Sequence, residues 1–187
     1  GIGGLAGTAL AALLLWRGWL PRSFATIDPL DDVPASVARF EMLREIGFLL
    51  FPIAGCAIGG MVLHDVVLPA PLLALGSSAL GLLVAAGAIW LTRILGTLGF
   101  GREAMGLGDV HLMAAAGAVI GWRDGLLAYL VAPFLAILWV LCSGGVARMR
   151  GKAARELPYG PHLALACVIV FLGRPWVGPM ARTLFGF

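Results

Sequence analysis

Six apolar stretches alternate with polar ones along the chain, at about 1–20, 46–63, 70–98, 110–122, 125–144 and 162–177. A run of roughly 18 or more apolar residues is long enough, as a helix, to cross the hydrocarbon core of a bilayer. Backbone in hydrocarbon must satisfy its hydrogen bonds internally, so all six stretches are expected to be helices. The predicted fold is an all-α, polytopic transmembrane bundle of about five to six membrane-embedded helices. It forms a single membrane-embedded domain over 1–187, interrupted by a polar linker at about 21–45. The second stretch, with Pro52 and glycines at 55, 59 and 60, reads as the weakest helix. The fourth is short for a full crossing, and Gly117 and Gly121 shorten its helical core further. Small residues at Gly81, Ala85, Ala86, Gly87 and 114–117 are expected to let helices approach closely.

Composition strengthens this reading. Hydrophobic residues make up 60% of the chain and charged ones 12%, about half the charged fraction of an ordinary soluble domain. A net charge of +3 is too small to argue for a nucleic-acid partner; the bilayer is the expected one. Cys56, Cys142 and Cys167 all lie inside apolar runs and read as small buried hydrophobes rather than disulfides or metal ligands. The chain opens on Gly1 within an apolar run, with no basic leader before it, so it is expected to be a fragment of a longer protein.

Charge placement sets the expected orientation. Arg93 and Arg102 flank the loop before the fourth stretch, and Arg148, Arg150, Lys152 and Arg155 crowd the loop after the fifth. Two crossings separate these loops, so they share a side, which the positive-inside rule makes cytoplasmic. By the same count the linker, with Asp28, Asp31, Asp32, Glu41 and Glu45, faces the cytoplasm, and the 64–69 and 123–124 loops face outward. A transporter is expected to carry midplane charges on discontinuous helices. Here the charges read as lying almost wholly in loops.

The chemistry centres on Asp109, where the polar loop meets the fourth apolar stretch. An ionisable group at a membrane edge is costly, and so marks a functional position. A plain alternative is that Asp109 is the N-cap of the helix beginning at Val110. Gly106 and Gly108 favour function: they let a peptide approach the backbone closely and make positive φ accessible. An aspartyl protease needs two carboxylates in one site, because like charges that close hold one of them protonated. The ionised one then acts as general base on water while the protonated one donates to the scissile carbonyl.

Ala104-Met105-Gly106-Leu107-Gly108-Asp109, running into Val110-His111-Leu112-Met113-Ala114-Ala115-Ala116-Gly117-Ala118-Val119-Ile120-Gly121-Trp122, resembles the type IV prepilin peptidases. In that family a GxGD motif carries the second catalytic aspartate and leads into an Ala/Gly-rich helix ending in Gly-Trp. A second match, Arg155-Glu156-Leu157-Pro158-Tyr159-Gly160-Pro161-His162-Leu163-Ala164, is similar to the family's closing motif before its last helix. The resemblance covers about half the chain. It implies an aspartic endopeptidase of the bacterial inner membrane that removes the basic leader of type IV prepilins or pseudopilins at the cytoplasmic face. It further implies Asp109 as a catalytic carboxylate, with Glu103, Met105, Gly106 and Gly108 supporting the motif and Pro158, Tyr159 and Gly160 on the substrate side. No metal or organic cofactor is expected, since the chemistry needs only carboxylates and water. Methylation, which some members add through a further domain, is not credited to this chain. A non-catalytic scaffold and a preflagellin peptidase are the alternative readings.

The first aspartate of the pair is not matched cleanly. One reading places it just upstream of Gly1, and then one of the first three stretches must fail to cross, the second being the weakest. The other reading takes Asp28, which satisfies the crossing count but lies in a polar loop where Pro and Asp favour a turn. Asp65, beside His64, is expected to face the opposite side from Asp109. His111, Tyr159 and His162 read as a local modulator and two interface anchors.

Overall fold

The computed structural model describes residues 1–20, 34–62, 64–149 and 159–175, and the described residues form helices joined by short loops. The order is α1 (Ile2–Trp16), α2 (Ala35–Val62), α3 (Ala70–Phe100), α4 (Leu107–Ile120), α5 (Trp122–Met149) and α6 (Tyr159–Leu172). Three stretches are long and apolar enough to cross a membrane: α2, α3 and, within α5, Trp122–Cys142. The other helices are apolar but shorter. The protein is a helical, multi-pass membrane protein.

Helix α3 is the central element, touching α1, α2, α4 and α5. Its buried residues Gly81, Ala85, Ile89, Arg93 and Thr97 recur every four positions, which on a 3.6-residue helix makes one continuous stripe. The main core forms where Ala85 and Ile89 of this stripe meet Val110 and Met113 of α4, Ala128 and Ala132 of α5, and Leu163, Ala166 and Val170 of α6. The opposite surfaces carry exposed Phe40, Leu50, Ile53, Phe134 and Leu172, the side chains that would meet acyl chains.

Close backbone approach organises two of the helix pairs. A Cβ added to Gly81 would stand 2.0 Å from the Gly117 carbonyl oxygen, and one added to Gly117 would stand 2.3 Å from that of Gly81. In the other pair, Gly3 and Gly7 of α1 lie against Gly55, Gly59 and Phe51 of α2. Two glycines four apart on each helix thus face each other, the arrangement by which small residues bring membrane helices together. The glycines that made α2 look weak are the seat for α1. The helix runs unbroken through a buried Pro52 for 28 residues, so the expectation that it fails to cross is not supported.

The linker expected over 21–45 is shorter than predicted. Residues 21–33 lie outside the described structure, whereas Ala35 onward is helix. Ala38, Glu41, Met42 and Glu45 are buried together on one face of α2; their spacing is that of an apolar stripe, with two carboxylates standing where apolar residues would be expected. Glu41 accepts from Arg44 of the same helix at 2.7 Å, whereas Glu45 finds its partners on α3. Arg93, expected at a loop edge, is fully buried within α3, where its Nη1 donates to both oxygens of Glu45 at 2.9 and 2.8 Å. The chain's charges are therefore not confined to loops. Arg93 also drops out of the orientation argument, which rests on Arg102 and on basic residues within 148–155, mostly outside the described residues.

Candidate active site

Antiparallel packing brings the start of α2, the end of α3, the 101–106 loop and the starts of α4 and α6 to one end of the bundle. Helix α3 stops at Gly101, whose φ of 69° is the left-handed conformation that only glycine adopts without strain. Adding a side chain there would also collide with Ala35 at the start of α2. The chain then crosses to α4, whose N-cap is Gly106.

Asp109 therefore lies in the first turn of α4 rather than at the cap, and its side chain makes no capping hydrogen bond. The favourable helix dipole acts on it, but the carboxylate does not satisfy the helix backbone. Among the described residues it has no hydrogen-bonded or ion-paired partner. Asp109 is half-buried, at the loop-side end of α4 and outside the long spans, and burial raises its pKa above the ordinary carboxylate value. Gly106 and Gly108 are exposed. Neither has a positive φ, so the conformational reason expected for them does not apply. Their steric reason stands: a Cβ at either position would meet nothing within 4 Å, so the backbone beside Asp109 is open to an approaching chain.

The closing motif arrives from α6. A Cβ at Gly160 would stand 3.2 Å from Asp109 Oδ1, so the start of α6 lies directly against the carboxylate. Tyr159, also at a loop-side end, has its phenol pushed up to about 12, first by burial and then by the nearby Tyr129 and Asp109. Tyr129 in turn shares a 2.7 Å hydrogen bond between its hydroxyl and that of Thr92 on α3. Two sequence stretches about fifty residues apart thus meet at Asp109.

Other expected positions resolve differently. Glu103 accepts from Arg93 Nε of α3 at 3.2 Å. Met105 packs against the core shared by α3 to α6. Exposed His111 donates through Nδ1 to its own helix, at the Leu107 carbonyl. His162 is buried, edge-on to Trp139 at 6.1 Å between ring centroids, rather than anchoring an interface. Exposed Asp65 pairs with His64 before α3, while Asp109 follows α3, so the 31 residues of that helix separate them as expected. Asp28 and Pro158 lie outside the described residues. No cluster of three or more His, Cys, Asp or Glu able to hold a metal occurs among the described residues.

The sequence reading passed over Glu45 and Arg93. The available signal was the general one that ionisable groups inside apolar helices are costly and paired.

A sequence profile for the type IV leader peptidase family matches residues 44–141, from α2 into α5. The chain is 34% identical to a prepilin leader peptidase/N-methyltransferase of Aeromonas hydrophila, over 67% of this chain and 38% of that protein. It is 30% identical to one of Pectobacterium carotovorum, over 85% of this chain and 52% of that protein. It is 36% identical to leader peptidase HopD of Salmonella typhimurium, over 58% of this chain and 67% of that protein. The chain therefore spans about half or less of the first two relatives. No solved structure matches it significantly.

Proposed function

The chain belongs to the type IV leader peptidase family, and from that premise we propose that it carries the second-aspartate half of an aspartic endopeptidase acting on prepilin-like substrates. Asp109 is one of the two working carboxylates. The observation that carries this reading is its setting: a half-buried carboxylate without a partner among the described residues, flanked by open glycines and faced by Gly160. An aspartate held only as a helix cap would be bonded to the backbone, and this one is not.

In the proposed reaction the ionised carboxylate removes a proton from water as that water attacks the scissile carbonyl, and the protonated carboxyl donates to the carbonyl oxygen. The tetrahedral intermediate then collapses, the C–N bond breaks, and the leaving amine takes up a proton from the dyad. The substrate is the leader junction of a prepilin or pseudopilin. The active end faces the cytoplasm from the bacterial inner membrane, the side on which Arg102 and the 148–155 residues place positive charge.

The fold sets a condition on the second carboxylate. Gly1 lies beside Gly76 near the start of α3, the end remote from Asp109. An aspartate immediately before Gly1 would be misplaced by the length of α3, so an upstream partner needs one further crossing between it and α1. Asp28 needs none, because the chain rejoins the described structure at Pro34, next to Ala35 and Gly101.

The test is co-expression with a prepilin bearing a basic leader, following leader removal by gel shift. The protein runs in its 187-residue form and in its full natural reading frame. Loss of cleavage in Asp109→Asn is the expected result, and undiminished cleavage by that variant refutes the proposal. Cleavage by the 187-residue form, lost in Asp28→Asn, would assign the partner to Asp28. Cleavage confined to the longer form would place it upstream.

A further inference from the structure

Arg93 is the most deeply buried charge among the described residues, and the reaction above makes no use of it. Its side chain is fully buried and reaches three elements at once. It rises from α3, its Nη1 straddles both carboxylate oxygens of Glu45 on α2, and its Nε donates to Glu103 in the 101–106 loop. Trp90 Nε1 donates to Glu45 Oε2 at 2.6 Å, fixing that carboxylate from a second direction. Around this centre the loop is tied twice more, by the Ala104 amide on Thr97 Oγ1 at 3.2 Å and by the left-handed Gly101 that ends α3. Arg39 Nε closes the same corner on the Leu98 carbonyl at 2.9 Å.

We propose that Glu45, Arg93 and Glu103 are positioning residues, a buried latch that fixes the 101–106 loop and through it the placement of Asp109. The inference rests on the peptidase reading above. Its physical ground is that the Asp109 carboxylate is held by no hydrogen bond among the described residues, the residue being fixed only through its backbone, as by its amide on the Gly106 carbonyl. Its position therefore depends on where α4 begins, and α4 begins where the loop delivers it. Glu103 is six residues before Asp109, and its bond from Arg93 ties the loop back to α3. A carboxylate that must share a proton with a partner tolerates little misplacement, since a 1 Å error in a reacting group costs on the order of 10² in rate. Because Glu45 brings α2 into the same latch, that helix also helps to set the geometry of the site.

The test uses the full-length protein with a prepilin substrate and compares Glu103→Ala, Glu103→Gln and Arg174→Gln with the wild type. Arg174 makes an ion pair with Asp124 at the other end of the bundle, so its variant reports what loss of a remote pair does. In Glu103→Ala we expect kcat to fall by about tenfold or more with KM nearly unchanged. Glu103→Gln should retain part of the rate, because an amide oxygen still accepts from Arg93. Arg174→Gln should keep the wild-type kcat. A second readout needs no activity: the Ala104 amide, bonded to Thr97 Oγ1, should exchange its hydrogen with solvent faster when Glu103 is alanine. Unchanged kcat in Glu103→Ala, in a preparation where Asp109→Asn is inactive, overturns the latch and leaves the peptidase reading intact. Unchanged exchange of the Ala104 amide overturns it as well. Cleavage by Asp109→Asn refutes the peptidase reading instead, and the exchange rate still decides whether the loop is latched.

Discussion

Two glycines six residues apart on α3 make opposite demands, and replacing each with alanine tests the helix crossing on which the site is built. At Gly81 a new Cβ would lie 2.0 Å from the Gly117 carbonyl oxygen, 2.9 Å from its carbon and 3.2 Å from the Gly121 Cα. All three neighbours are backbone, so no side chain can rotate away. Helices α3 and α4 must part by more than about 1 Å to restore an ordinary contact of 3.4–4 Å. Overpacking of this kind costs about 1–3 kcal/mol. At Gly87 nothing stands within 4 Å of the added methyl, and alanine there gains the helix preference it holds over glycine, up to about 1 kcal/mol. The two variants should therefore differ in stability by about 1–4 kcal/mol, with opposite signs about the wild type. Gly117 lies eight residues along α4 from Asp109, about 12 Å at 1.5 Å per residue. If α4 moves bodily, Asp109 moves with it, and Gly81→Ala should also lose up to about 10² in cleavage rate. Unfolding in detergent followed by tryptophan fluorescence, beside the prepilin cleavage assay, reads both effects. Gly81→Ala found as stable as Gly87→Ala would refute the crossing.

Two further outcomes follow from the site. Burial raises the pKa of Asp109 in the folded protein, so ionising it costs folding free energy at neutral pH. The sign is that of a raised carboxyl: its contribution is full below the unfolded value near 3.9 and is lost as pH rises through the folded one. Asp109→Asn, although inactive, should therefore be slightly more stable than wild type at pH 7, and the gain should vanish in thermal unfolding near pH 4. A methyl at Gly160 would crowd Asp109 Oδ1 at 3.2 Å, so the carboxylate must yield by a few tenths of an ångström. Gly160→Ala should slow cleavage by about tenfold while leaving the melting temperature nearly unchanged; a large stability loss would mean that Gly160 serves packing instead.

Much of this was legible in the chain because apolar run length and a short motif are local signals. The runs at 70–98 and 125–144 located α3 and the apolar core of α5 to within a few residues, except that α5 begins three residues earlier, at Trp122. The GxGD stretch and the closing motif are far apart in the chain, and they come together where Gly160 lies against Asp109. What was misread depends on distant partners. Glu41 and Glu45 looked like linker charges because the arginine that neutralises Glu45 comes 48 residues later. The same pairing hid Arg93, which by position alone resembled the last charge before a loop. Gly55 and Gly59 looked like helix breakers until α1 was laid against them. Asp109 was weighed as a cap because caps and first-turn residues differ by three positions, less than the accuracy of a boundary read from sequence.

The buried bond between Glu45 and Arg93 bears on how the protein is made. An arginine deep in a membrane helix costs a few kcal/mol when the helix must enter the bilayer alone. Here the residues of α2 are synthesised before those of α3, so the carboxylate precedes its cation out of the ribosome. Helix α3 can then insert as the second arm of a hairpin, with Arg93 already neutralised and Trp90 donating to the same carboxylate. Order of synthesis, and not only the final packing, makes so costly a residue tolerable within this helix.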